Sequence, residues 1–203
     1  MIAIERRSAL EAYWQNATTH ASMLVPGATA SVTLWERRPL SILQVSAFAT
    51  TIEDAGTRLA DALQLALPPA NRSHGDARLS LRSVGPGIWQ LVGAPDGVPP
   101  VTALRQTLAG VATLVDLSHA RTALHLVGGA AADILRKHCG LDLDSTRFPT
   151  GSSVSTRLSA IGMNLSRLND QPTFELLLPR SCAEHALELL LGAGAEFGLR
   201  TSS

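Results

Sequence analysis

The feature that most constrains this chain is the order of hydrophobic periods between Leu40 and Leu117. Leu40 to Ala49, LSILQVSAFA, alternates as a strand does. Thr51 to Leu67 changes to a helical period. Ile52, Ala55, Leu59, Leu63 and Ala66 form its stripe, Thr51 with Asp54 reads as a capping box, and Pro68-Pro69 is its stop. Residues 68–76, PPANRSHGD, read as a polar loop. ARLSLRSV, from Ala77 to Val84, alternates again, so Leu79 and Leu81 are expected to face in and Arg78, Ser80 and Arg82 out. Gly85-Pro86-Gly87 turns the chain into a further strand, IWQLV. Pro99-Pro100 open a short helix with Val101, Leu104 and Leu108 on one face, and Val111 to Leu117 closes the set as a strand. Strand, helix, strand, strand, helix, strand is the split βαβ, or ferredoxin-like, order. Its natural packing is an antiparallel sheet with two helices on one face.

The second half repeats this kind of content without a simple sequence repeat. Arg121 to Val127 reads as a strand and Ala130 to His138 as a helix with basic residues in its last turn. Val154, Leu158 and Ala160 mark a strand, and Met163–Leu168 with Thr173–Leu178 a hairpin. Ser181 with Glu184 reads as a capping box for a last helix ending near Gly194. The expected architecture is α+β: an N-terminal arm over 1–30, a first ferredoxin-like lobe over 31–117 with SVTLW as an early strand, and a second over 118–203.

Composition narrows the function. The chain has 203 residues, 45% hydrophobic and 17% charged, an ordinary globular balance. Lys+Arg and Asp+Glu are both 17, so no basic field is available for a row of phosphates, and nucleic acid is not an expected partner. Lys137 is the only lysine, so a lone arginine carries little weight as an anion-binding signal. The N-terminus, MIAIERRSALEAYWQ, lacks the apolar core of a secretory signal, and no run is long enough to span a membrane. Two cysteines without a CxxC suit a reducing compartment, and a cytoplasmic location is expected.

The chemistry-bearing residues form no recognised constellation. Gly128-Gly129 joins a strand to a helix, but GxGxxG and GxxxxGK are both missing, so a tight turn is expected rather than a phosphate cradle. Asp116, His119 and Arg121 are read as a turn-linked salt bridge. His125 alternates with Leu124 and Leu126 and is placed on the outer sheet face or at a contact with another chain. His138-Cys139 and Cys182/His185 do not repeat the spacing of a structural zinc site. Glu53-Asp54 suits a helix start, Asp142 and Asp144 lie in a loop, and His74 and Asp76 lack further partners. No GxSxG elbow is present. No catalytic, cofactor-binding or metal-ligating residue is therefore assigned. Trp14, Trp35 and Trp89 are candidate interface anchors, with a core position the competing reading, above all for Trp89 between Ile88 and Leu91.

The order of blocks says more than any single motif. DLSHARTALHLVGGAAADIL, KHCGLDLD, RFPTGSSVSTRLSAIGMNLSRL, PTFELLLPRS and LLGAGAEFGL follow one another, preceded by IEDAGTRLADALQLALP and GIWQLV. Together they resemble the gamma subunit of heterotetrameric sarcosine oxidase, from about Val32 to Leu199 and most strongly from Val115 onward. The resemblance implies a fold related to the folate-binding aminomethyltransferases of the T-protein type. It implies alpha, beta and delta partner subunits, with FAD, FMN, NAD, tetrahydrofolate and zinc held on those chains and none on this one. The complex so implied oxidises sarcosine to glycine, passes the methyl carbon to tetrahydrofolate or releases it as formaldehyde, and forms hydrogen peroxide. Two other readings stand beside it: a subunit of a related secondary-amine oxidase, and a stand-alone folate-binding protein, for which Asp116 is the one carboxylate to nominate for a pterin. A scaffold outside oxidase chemistry is a third.

Overall fold

A computed structural model describes residues 7–15 and 31–202. The expected N-terminal arm falls largely outside the described residues. The chain separates into two units. One comprises Met1–Arg38, His119–Thr150 and Thr156–Ser203, the other Pro39–Ser118 and Gly151–Ser155.

The unit around Pro39–Ser118 has the ferredoxin-like order expected of it. Its elements are β2 (Ser41–Ala47), α2 (Ile52–Leu63), β3 (Ser73–Gly75), β4 (Leu79–Gly85), β5 (Ile88–Gly93), α3 (Val101–Thr107) and β6 (Ala112–Asp116). The sheet order is β3-β4-β5-β2-β6, with every pairing antiparallel. Register sets Leu81, Leu91 and Leu43 in one row and Trp89 and Val45 in the next row on the same face. These pack with Ala55, Leu59 and Leu63 of α2, Leu104 of α3, and Leu108. At about 1.5–3 kcal/mol for each large apolar side chain fully buried, that face is what holds the unit together.

Local details depart from the sequence reading. Helix α2 stops at Leu63 rather than Leu67, because Gln64 turns left-handed at φ 52. Its capping box does not form: Thr51 Oγ1 donates to the Val111 carbonyl at 2.7 Å instead of capping the helix. The polar loop after Pro68-Pro69 contains β3, which joins the sheet edge through pairs such as Ser73 with Arg82. Arg82, expected to face out, is fully buried, as is most of its strand face, including Ser80. Alternation predicts an outward charge only when the other face of the sheet meets water. Arg82, Gln90 and Ile42 are buried on this second face, while Val115 at its β6 edge stays 47% exposed.

The other unit is built on a six-stranded sheet. It adds α1 (Glu11–Gln15), β1 (Val32–Glu36), β7 (Arg121–Gly128), α4 (Ala131–Arg136), β8 (Ser153–Leu158), β9 (Ile161–Asn169), β10 (Thr173–Pro179), α5 (Ala183–Gly194) and β11 (Leu199–Ser202), in the order β11-β1-β7-β10-β9-β8. This is again a ferredoxin-like order, with β1 inserted between its first and last strands. β1 runs antiparallel to β7 and parallel to β11. β1 was expected in the first lobe; its pairing places it here. Strand periodicity shows which residues alternate, not which sheet the strand joins. One face carries the row Leu34, Leu126 and Phe174, followed by Leu124, Leu176 and Leu165. Helix α4 packs on β7 and on α5. The Ser181/Glu184 capping box is also not made. Arg180–Cys182 is a 3-10 turn, and α5 begins without a side-chain cap.

Candidate functional site

The opposite face of the six-stranded sheet is where polar chemistry collects. Register aligns Trp35 of β1, His125 of β7, Glu175 of β10 and Ser166 of β9 in one row. Glu175 is 0% exposed and His125 6%. His125 Nε2 lies 2.5 Å from Glu175 Oε2, and Arg37 Nη1 donates to the same oxygen at 2.8 Å. The Trp35 ring lies 4.3 Å from the imidazole, centroid to centroid. A buried carboxylate is tolerated when cations and hydrogen bonds compensate it. Here two neighbours do so on a rigid sheet, which makes the row an internal charge network. A general base must in addition reach a substrate proton, and Glu175 is closed off. The sequence reading placed His125 on the outer sheet face or at a contact with another chain; it is 6% exposed and lies beside Glu175. Glu175 and Arg37 escaped it. Their signal was a lone acid inside the apolar strand TFELLLP.

The other residues weighed from sequence occupy separate local structures. Gly128 has φ +137, and a Cβ there would collide with the Ser31 carbonyl at the start of β1. Its N–H donates to the Pro172 carbonyl at 3.0 Å. The glycine therefore serves strand packing, while a Cβ at Gly129 would meet open space. Asp116 Oδ1 accepts from the Ser118 N–H at 2.8 Å, closing an Asx turn rather than a salt bridge. His119 and Arg121 belong to the other unit. Asp54 pairs with Arg58 on one helix face at 2.8 Å.

His74 Nδ1 lies 2.9 Å from the Ala66 carbonyl. Asp76 accepts from the N–H groups of Arg78 and Leu79, and these bonds, the Leu79 one foremost, hold its carboxyl below the usual range. Asp144 is lowered too, first by the Thr146 hydroxyl, then by the Thr146 N–H, and further by the charges of Arg136 and Arg167.

The possible metal ligands do not converge. Cys139 is buried with Thr156 Oγ1 3.8 Å from its sulfur, His138 meets Ser159, and His185 lies 3.8 Å from Glu188. Among the described residues no three His, Cys, Asp or Glu side chains gather as a metal site. Two tryptophans are internal to their units. Trp89 belongs to the core, and Trp14 is buried, with its Nε1–H donating to Glu36 at 2.9 Å. No helix among the described residues is long and apolar enough to cross a membrane.

Comparison with known proteins gives this architecture its context. Residues 46–196 match the model of the sarcosine oxidase, gamma subunit family. The chain belongs to that family. It is 32% identical over 184 residues to sarcosine oxidase subunit gamma of Corynebacterium sp. strain P-1, covering 87% of each chain. Among solved structures it matches a chain of the heterotetrameric sarcosine oxidase from Corynebacterium sp. U-96. The TM-score is 0.81 with 28% identity, and 98% of this chain and 99% of that one are covered. Aminomethyltransferase T of the glycine cleavage system from Bartonella henselae matches at TM-score 0.68 and 16% identity, over 97% of this chain and 59% of that one. The last likeness establishes a shared fold, as the α+β reading expected.

Proposed function

We propose that the chain acts as a non-catalytic gamma subunit of a heterotetrameric, flavin-dependent sarcosine oxidase. The observation that supports this most directly is the end-to-end match with one chain of such an oxidase, covering 98% of this chain and 99% of that one. Its partners are the alpha, beta and delta subunits, in the cytoplasm. The assembled enzyme oxidises sarcosine to glycine, hands the methyl carbon to tetrahydrofolate or releases it as formaldehyde, and reduces oxygen to hydrogen peroxide. FAD, FMN, NAD, tetrahydrofolate and zinc belong to the other subunits, and this chain contributes no catalytic, cofactor-binding or metal-ligating residue.

The side chains are consistent with that division of labour. The buried ionisable residues Glu175, His125 and Arg82 lie on sheet faces. The expectation is tested by co-expressing the partner subunits with and without this chain. Loss of the four-subunit complex when the chain is omitted supports an assembly role. A fully active complex formed without it contradicts that role. Titration of the isolated chain with tetrahydrofolate separates the reading from a stand-alone folate-binding protein, which would bind at micromolar concentration.

A further inference from the structure

Strand β6 is an open edge of its sheet. Among the described residues it pairs with β2 alone. Two bonds just beyond the strand ends fix the phase of that ladder. The Leu117 N–H donates to the Ile42 carbonyl at 2.8 Å, and the Phe48 N–H to the Val111 carbonyl at 3.1 Å. Backbone groups of an antiparallel pair alternate in direction along the strand. Thr113 and Val115 therefore turn theirs to β2. Leu114 turns its N–H and C=O outward, where no described residue meets them. The Leu114 side chain packs on the core, while Thr113 and Val115 are exposed on the opposite face, Val115 at 47%.

An open edge recruits other strands, and folded chains blunt it with short strands or charge. The other sheet edges here are blunted. β3 has three residues, and β8 and β11 carry the exposed Arg157 and Arg200. The first four residues of β6, ATLV, contain no charge, proline or glycine. Such an edge suits a dedicated partner, and its single charge says of which kind. Asp116, exposed at the strand end, makes no salt bridge among the described residues; its Oδ1 accepts from the Ser118 N–H. A second copy pairing antiparallel about Leu114 would set each Asp116 opposite Ala112 and bring no cation on its strand. We propose that β6 takes up an extended segment of a partner subunit. That segment hydrogen-bonds to Leu114, lays uncharged side chains along Thr113 and Val115, and sets a lysine or arginine against Asp116. The inference rests on the assembly role proposed above and names a surface that serves it.

The test is hydrogen exchange, read residue by residue, on the full chain alone and in the four-subunit complex. The Leu114 N–H is expected to exchange quickly in the isolated chain and about a hundredfold more slowly, or slower still, in the complex. Val115→Lys puts an edge-blocking charge at an exposed position. The isolated variant should unfold at the unaltered temperature, while its recovery in the complex falls about tenfold or more. Asp116→Asn keeps the acceptor for Ser118 and should weaken assembly a few-fold at low salt. Undiminished assembly of either variant at low salt would overturn the proposal. So would an isolated chain that is already a dimer with Leu114 protected, which would assign the edge to a second copy. A complex that forms while Leu114 stays unprotected overturns the proposal and leaves the assembly role standing. An unaltered chain that joins no partner overturns both.

Discussion

His125 Nε2 and Glu175 Oε2 lie 2.5 Å apart across a register pair of β7 and β10, and Arg37 approaches the same oxygen at 2.8 Å. The contact joins three strands, β1 through Arg37 at its end, β7 and β10. Removing a buried partner from such a pair is far more damaging than the pair is stabilising, because the remaining polar groups stay desolvated. Glu175→Ala is expected to cost about 3 kcal/mol in urea denaturation at neutral pH. Glu175→Gln, which keeps an acceptor, should cost less. An unchanged midpoint in the alanine variant would mean that the network contributes nothing to the fold.

The glycine turn separates into two unlike positions. Gly128→Ala forces a Cβ into the Ser31 carbonyl at a positive φ and is expected to destabilise by about 2 kcal/mol. Gly129→Ala meets open space, so its unfolding midpoint should stay close to that of the unaltered chain. Equal effects at the two positions would contradict the packing explanation.

Trp89 was a candidate anchor for a partner, yet its ring lies in the core with Leu59, Leu81 and Leu91. Trp89→Ala should therefore destabilise the isolated chain by about 4 kcal/mol, the range for a large buried aromatic. A variant of unchanged stability that fails only to assemble would return Trp89 to an interface.

Asp76 and Asp144 give a pH signature. Both carboxyls are lowered from the ordinary 3.8, each by hydrogen bonds made to its ionised form. A depressed folded pKa means that the ionised form favours the folded chain. That contribution is complete above 3.8 and drains away as pH falls through the lower folded value. Carboxyl carbon NMR titration should give both midpoints below 3.8. Midpoints at or above it would contradict the two Asx-type turns.

Much of the fold was legible because periodicity reports local packing directly. The order from β2 to β6 could be read from residues such as Leu59, Leu63, Leu81 and Leu91, each repeating at the interval its element demands. What stayed hidden depends on partners far along the chain. β1 joins β7 and β11, and nothing within VTLWE names those strands. Arg82 and Glu175 broke the expected pattern because alternation assumes one wet face, and both are buried. β3 was missed because SHG has no apolar alternation to detect; it enters the sheet through backbone pairing with Ser80–Arg82. The capping boxes at Thr51 and Ser181 do not form either: Thr51 Oγ1 donates to the Val111 carbonyl, sixty residues away, and Ser181 lies in a 3-10 turn ahead of α5. Family membership was legible from the order of blocks.

The central claim is assembly without catalysis, and native mass together with visible absorbance tests it most directly. The chain would be purified alone and again after co-expression with the three partner subunits. A colourless isolated chain, and a yellow four-chain complex in which it is present, is the predicted result. A chain that after co-expression purifies free of those subunits, or that carries flavin by itself, would contradict it.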